Sequence, residues 1–137
     1  MNEVRRKCVG IIFGGQSNEH AISIESAKAI FAALNSDINK KKFYTKVFYI
    51  NRNGKWFDSK DSLLILKHSK DIDNFIANSL FEDIKIFEMS EDLIKDKNID
   101  IIIISTLHNS LSNLTNLAIL NNKHVLVEKP AARNSSE

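Results

Sequence analysis

Three short stretches of this chain carry residue types that can do chemistry. Gly14-Gly15-Gln16-Ser17 follows an apolar run and precedes a helical pattern that opens near Glu19 and His20. Glycines let a backbone approach a ligand closely, and the free N–H groups of a helix start favour an anion. A tight strand-to-helix turn that uses glycine for geometry alone gives the same pattern. The dinucleotide spacing G-x-G-x-x-G is absent. Ser105-Thr106 ends a second apolar run, and Glu128-Lys129-Pro130 follows a third. Ligands of open parallel sheets bind beyond the carboxyl ends of the strands. A lysine buried there could have its pKa lowered and act as an acid–base group. In solvent it would be an ordinary loop charge. A carboxylate such as Glu19 at a helix start is also favoured by the helix dipole with no ligand at all.

These residues need strands and helices to position them. Val9 to Phe13 reads as a buried strand before the glycine turn. Ala27, Ile30, Phe31 and Leu34 fall on one helix face, with Ser17, Asn18 and Ser23 as alternative N-caps. Phe43 to Ile50 reads as a second strand. Asn53-Gly54 signals a turn, with Lys55 to Phe57 pairing back as a short hairpin arm. Between Ser59 and Phe81, Leu63–Leu66 and Phe75–Phe81 read as helical pieces, and beyond them Ile84–Phe87 reads as a short strand. Ser90 caps a helix over Glu91–Lys97. Ile99 to Ile104 is a β-branched run that suits a strand buried on both faces. Leu111, Leu114, Leu117 and Ala118 repeat at helical spacing, Asn121-Asn122 closes that helix, and His124 to Val127 is a last strand. Alternating strands and helices predict an α/β fold, a Rossmann-like open and mostly parallel sheet flanked by helices in one compact domain.

Composition sets the outer bounds. At 137 residues the chain has about one domain's length, with 43% hydrophobic and 26% charged residues. A net charge of +2 argues for no special partner. Arg5-Arg6-Lys7 and Lys40-Lys41-Lys42 are short and have no interleaved aromatics, so they read as solvated surface rather than nucleic-acid contacts. Cys8 is the single cysteine, which excludes an internal disulfide and a cysteine-based metal cluster. Its place in an apolar run reads as a buried, inert thiol. No signal peptide is visible, and Ile101 to Ile104 are too few to span a bilayer. The expected compartment is the cytoplasm, with no membrane partner.

The string GIIFGGQSNEHAISIESA, with Gly14-Gly15, Ser17, Glu19, His20 and Ser23, resembles the N-terminal segment of D-alanine–D-alanine ligases, of the ATP-grasp superfamily. The resemblance continues through FYTKVFYINRNGKWF and covers about residues 4–60. It implies a ligase of peptidoglycan biosynthesis with a D-alanine site in which Glu19 attracts the ammonium group, Ile22 lines the methyl pocket, and Gly14, Gly15 and Ser17 form the surrounding turn. The family's HG-x-x-GEDG segment is absent, and neither His68 nor His108 has its surroundings. ATP and magnesium would need the ATP-grasp domains, which these residues do not contain, so the resemblance implies a part of the site without independent catalysis.

From about Glu88 onward a second resemblance takes over. SEDLIKDKNIDIIIIST, the helix through Asn116 to Leu120, and NNKHVLVEKPAARNSSE are similar to the cofactor domain of the Gfo/Idh/MocA dehydrogenases. It implies an NAD(P)-binding edge at Ser105, Thr106, Glu128 and Pro130, with Lys129 in proton transfer. Leu107 stands where that family has proline, and Leu111 where it has histidine. Asp58 and Asp61 are poor candidates for the acidic residue that holds the cofactor ribose. No cofactor is demonstrable from the residues alone.

The chain then divides into a ligase-like unit over 1–62, a junction over 63–87, and a dehydrogenase-like segment over 88–137. The functional expectation is a D-alanine–D-alanine ligase-related N-terminal fragment. Its alternatives are an NAD(P)-dependent oxidoreductase-related module and a composite chain with no activity of its own. The expected partner is a small molecule, D-alanine or a nicotinamide nucleotide, and homo-oligomerisation is open.

Overall fold

The computed structural model describes residues 5–16, 18–68, 90–106, 108–130, 134 and 136, with the side chains of 90, 91 and 108–110 excepted. In chain order the elements are β1 (Lys7–Gly14), α1 (His20–Leu34), a 3-10 turn (Asn39–Lys41), β2 (Phe43–Ile50) and α2 (Ser59–Lys67). They are followed by α3 (Ser90–Lys95), β3 (Ile101–Ser105), α4 (His108–Leu120) and β4 (His124–Val127). The strands form one four-stranded sheet in the order β2-β1-β3-β4. Every pairing is parallel.

Strand β1 explains why both faces are covered. Its side chains alternate across the sheet. Cys8 and Ile12 point into one apolar cluster with Ile102, Ile104 and the α3–α4 residues Ile94, Leu111 and Ala118. Val9, Ile11 and Phe13 point into the opposite cluster with Ile24 and Ala27 of α1, Ile65 and Leu66 of α2, and Val47 and Tyr49 of β2. The helices lie on both faces, as parallel crossovers require. The Rossmann-like parallel sheet expected from the sequence is the fold observed.

The elements differ from the sequence reading at their ends. Helix α1 begins at His20 with Glu19 in the cap position and no side-chain cap bond, so none of the three expected caps holds that place. Ser23 lies inside the helix and is buried, while Ser17 lies outside the described residues. Helix α2 starts earlier than Leu63 because the Asp58 carboxylate accepts the Asp61 N–H at 2.9 Å, which caps it. His108 is the first residue of α4. The arm at Lys55–Phe57 does turn back: Trp56 bridges Ile50 in antiparallel sense, and Phe57 N–H donates to the Tyr49 carbonyl at 2.9 Å. The expected elements at Phe75–Phe81 and Ile84–Phe87 lie outside the described residues.

Cys8 is fully buried, and burial pushes its thiol pKa up despite the Tyr44 hydroxyl and the nearby Lys46 ammonium. The inert buried thiol is what the structure gives. Among the described residues no helix is long and apolar enough to cross a membrane.

Candidate functional site

Parallel register brings the chemistry-bearing residues to one edge. Phe13 pairs with Ser105, and Ile104 pairs with Val127. The glycine turn after β1, Ser105-Thr106 after β3 and Glu128-Lys129-Pro130 after β4 therefore leave the sheet at the same, carboxyl end. Glu128 N–H donates to the Ile104 carbonyl at 3.3 Å, which keeps the last segment against β3 as it leaves.

The glycine turn is built from a backbone that only glycine adopts easily. Gly14 has φ +88 and Gly15 φ +115. A Cβ on Gly14 would stand 2.2 Å from the Ile50 carbonyl oxygen. That same oxygen accepts the Gly15 N–H at 2.8 Å. Gly14 is thus required by close packing against β2, and it does not by itself signal a phosphate in the turn.

Two side chains of α1 then fix the turn. Ser23 Oγ accepts the Gly14 N–H at 2.8 Å and donates to the Ser105 carbonyl, tying the end of β1 to the end of β3. His20 is buried at 3% exposure; its Nδ1 lies 2.5 Å from the Gly15 carbonyl and its Nε2 3.0 Å from the Tyr49 hydroxyl. A carbonyl can only accept, so Nδ1 carries a proton, and in the neutral ring Tyr49 donates to Nε2. The imidazole also stands edge-on to the Tyr49 ring. Neither His20 as an anchor nor Tyr49 emerges from the sequence reading. The available signal was polar residues on a buried stripe: His20, Ser23 and Ala27 share one face of α1.

The other expected site residues fall as follows. Glu19 is exposed at the head of α1, one turn from the glycines, and its carbonyl accepts the Ser23 N–H at 2.9 Å. Ile22 is 65% exposed in the same turn of helix. Ser105 and Thr106 are buried, and both hydroxyl oxygens lack a hydrogen-bond partner among the described residues. A buried hydroxyl left unpaired costs stability, so this pair is the unsatisfied feature of the edge. Glu128, Lys129 and Pro130 are exposed. The burial that acid–base work by Lys129 calls for is not found there. Asp58 is engaged as the α2 cap, away from any ribose role. Among the described residues no group of three or more His, Cys, Asp or Glu side chains could hold a metal ion.

Known proteins resemble this chain in a consistent way. A family model described as D-ala D-ala ligase N-terminus matches residues 8–113. A D-alanine–D-alanine ligase of Prochlorococcus marinus (strain MIT 9312) is 46% identical over 101 residues, which is 74% of this chain and 28% of that protein. The solved VanG D-Ala:D-Ser ligase from Enterococcus faecalis matches with a TM-score of 0.64 at 21% identity, over 88% of this chain and 35% of its own. An NAD binding oxidoreductase from Klebsiella pneumoniae matches with a TM-score of 0.51 at 19% identity, over 96% of this chain and 29% of its own. At those identities the two structures establish a shared fold only. The family match runs past residue 60, through β3 and into α4. Up to residue 113 it assigns to the ligase N-terminus a stretch in which the sequence alone resembled the dehydrogenases. The chain spans about a quarter of the length of the Prochlorococcus relative, 28%.

Proposed function

Because the chain belongs to the D-ala D-ala ligase N-terminal family, we propose that it supplies the amino-acid-binding edge of a D-alanine-activating ligase of peptidoglycan biosynthesis. Glu19 attracts the ammonium group of D-alanine, and the Gly14-Gly15 turn borders it. Ile22, exposed beside Glu19, offers an apolar surface to the methyl group. The observation that carries this reading is the Ser23 hydroxyl, which joins the Gly14 N–H to the Ser105 carbonyl one helical turn after Glu19, whose own carbonyl accepts the Ser23 N–H. Ligation with ATP and magnesium depends on the ATP-grasp portion of the family, so these residues act in substrate holding rather than phosphoryl transfer.

Titration of the chain with D-alanine, followed by amide chemical shifts, tests the reading. Shifts clustered at 14–24 with D-alanine and absent with L-alanine are expected. Glu19→Gln should weaken the response at least tenfold, the loss of about 1.4 kcal/mol for a charge-assisted contact. An unchanged affinity in that variant refutes the assignment.

One observation favours a second reading. The unpaired hydroxyls of Ser105 and Thr106 stand at the strand end where an NAD(P)-binding edge was expected, beside Glu128-Lys129-Pro130. A nicotinamide nucleotide would give those hydroxyls partners only with the strand end opened, since both are buried. Thermal stabilisation by NAD+ or NADP+, abolished by Ser105→Ala with Thr106→Val, would support it; no shift at saturating nucleotide removes it.

A further inference from the structure

Beneath the glycine turn lie two polar side chains, His20 and Tyr49, too deeply buried to touch a ligand at the sheet edge. Helix α1 lacks a side-chain cap at its start: Glu19 holds the cap position with φ −85 and ψ 6 and makes no such bond. The first helical residue ties that end down instead. His20 Nδ1–H donates to the Gly15 carbonyl at 2.5 Å, and the Tyr49 hydroxyl donates to Nε2 at 3.0 Å. The two bonds select each other, because a neutral ring that accepts at Nε2 carries its proton on Nδ1. Tyr49 is a fixed anchor. The rings of Phe13 and Phe57 stand 5.4 and 5.3 Å from its own, and a Cβ on Gly14 would lie 3.0 Å from it. The turn therefore rests on the Tyr49 ring while His20 holds its carbonyl. In a planar trans peptide the carbonyl and the following N–H point in opposite directions. With the Gly15 carbonyl drawn to buried His20, the N–H of exposed Gln16 is turned away from the core.

We infer that His20 is the positioning residue of the amino-acid edge: through its bond to the Gly15 carbonyl it fixes the glycine turn and the head of α1, and so the places of Glu19 and Ile22. The inference rests on the D-alanine reading above and adds to it the group that orders the site. An uncapped helix end has free N–H groups and frays readily. A carboxylate on a fraying end must be ordered when the ligand binds, and that ordering subtracts from affinity. The imidazole removes this cost beforehand by joining three elements, the end of β1 through Gly15, the start of α1 through its own backbone, and β2 through Tyr49. It acts through the turn and makes no contact with substrate. The two ring nitrogens then have separate jobs. Nδ1 sets the turn, and Nε2 holds the ring and its tautomer against the core.

Three variants of the whole chain, each titrated with D-alanine and unfolded in urea, separate positioning from packing. His20→Asn places an amide N–H near the position of Nδ1 and keeps a donor for Gly15, but is too short for Tyr49. His20→Gln reaches towards Tyr49 and leaves the Gly15 carbonyl without its donor. Both should lower the urea midpoint. The Kd for D-alanine is expected to stay within about threefold of wild type in His20→Asn and to weaken by about tenfold in His20→Gln. Tyr49→Phe keeps the stacked rings and hence the fold, and it should weaken D-alanine by about threefold by releasing Nε2. The ring 15N shifts of wild-type His20 should report the Nδ1–H tautomer. An Nε2–H tautomer overturns the inference. So do equal affinity losses in His20→Asn and His20→Gln, which would make the residue a packing element only. If the His20 variants fail to fold, an unchanged Kd in Tyr49→Phe overturns it. A wild-type chain that binds D-alanine, with His20→Gln binding equally well, removes this role and leaves the D-alanine reading standing. A wild-type chain that binds no D-alanine removes that reading and this role together.

Discussion

At the scale of single residues the glycine turn shows how a sequence motif can be right for a reason other than the obvious one. Gly14 was legible as a residue that must be glycine. A side chain there would drive into the Ile50 carbonyl, 2.2 Å from its Cβ, at φ +88. Its demand comes from β2, a contact that the order of residues along β1 and α1 does not reveal. Gly10 offers the comparison. Its Cβ would meet Ile99 Cγ2 at 3.4 Å, an ordinary contact with the end of a side chain. Gly14→Ala is therefore expected to cost about 3 kcal/mol or more, and Gly10→Ala no more than about 1 kcal/mol. Urea denaturation of the two variants measures the difference through the midpoint at constant slope. Equal midpoints would mean that the turn relaxes freely and that Gly14 is kept for a ligand instead. The roles of His20 and Ser23 were less legible. Their hydrogen bonds end on backbone N–H and carbonyl groups and on Tyr49, groups that sequence spacing does not bring together.

At the scale of elements, the turn between α3 and β3 is a clasp whose strength depends on pH. Asp96 follows α3; its carboxylate takes the Lys46 ammonium of β2 at 3.0 Å and, through its other oxygen, the backbone and side-chain N–H groups of Asn98, both at 2.9 Å. Its carbonyl holds Lys123, just before β4, at 2.7 Å. Burial alone would raise the Asp96 pKa, but the Asn98 N–H and the Lys46 ammonium outweigh it, and the net shift is below the ordinary value of 3.8. A carboxyl whose folded pKa is lowered adds stability that is complete above its unfolded value and is lost as pH falls through the folded one. Asp96→Asn should destabilise the chain by about 1 kcal/mol at neutral pH, given that both partners are partly exposed. The gap to wild type should close as pH falls below 3.8. Urea midpoints across that range check it, and a gap that persists in acid would assign the loss to packing rather than charge. The strands and helices this clasp joins were legible from apolar periodicity, whereas the clasp was not. Lys46, Asp96 and Lys123 look in sequence like separate surface charges. Only the parallel crossover order puts them side by side.

At the scale of the whole molecule, the chain reads in sequence as two pieces and folds as one sheet. The division came from motifs, which are local, and the sheet is not. Strand β1 lies between β2 from the first half and β3 from the second. Its residues enter both apolar clusters, Ile12 one and Ile11 the other, and each cluster also holds side chains from the second half. The helices that cover β3, around Ile94 and Leu111, therefore share a core with Cys8 and Phe48. Neither half can bury its strands without the other, so unfolding should be a single cooperative event. Trp56 packs at the rim of the α3–α4 cluster and reports that face by fluorescence, while circular dichroism reports all helices. The two probes are expected to give one common midpoint in urea. Ile12→Ala, a fully buried truncation, should lower that midpoint for both probes together by about 2–5 kcal/mol of stability. Two separated transitions, or a fluorescence midpoint that moves while the helical one stays, would mean that the halves fold independently and that the shared strand does not couple them.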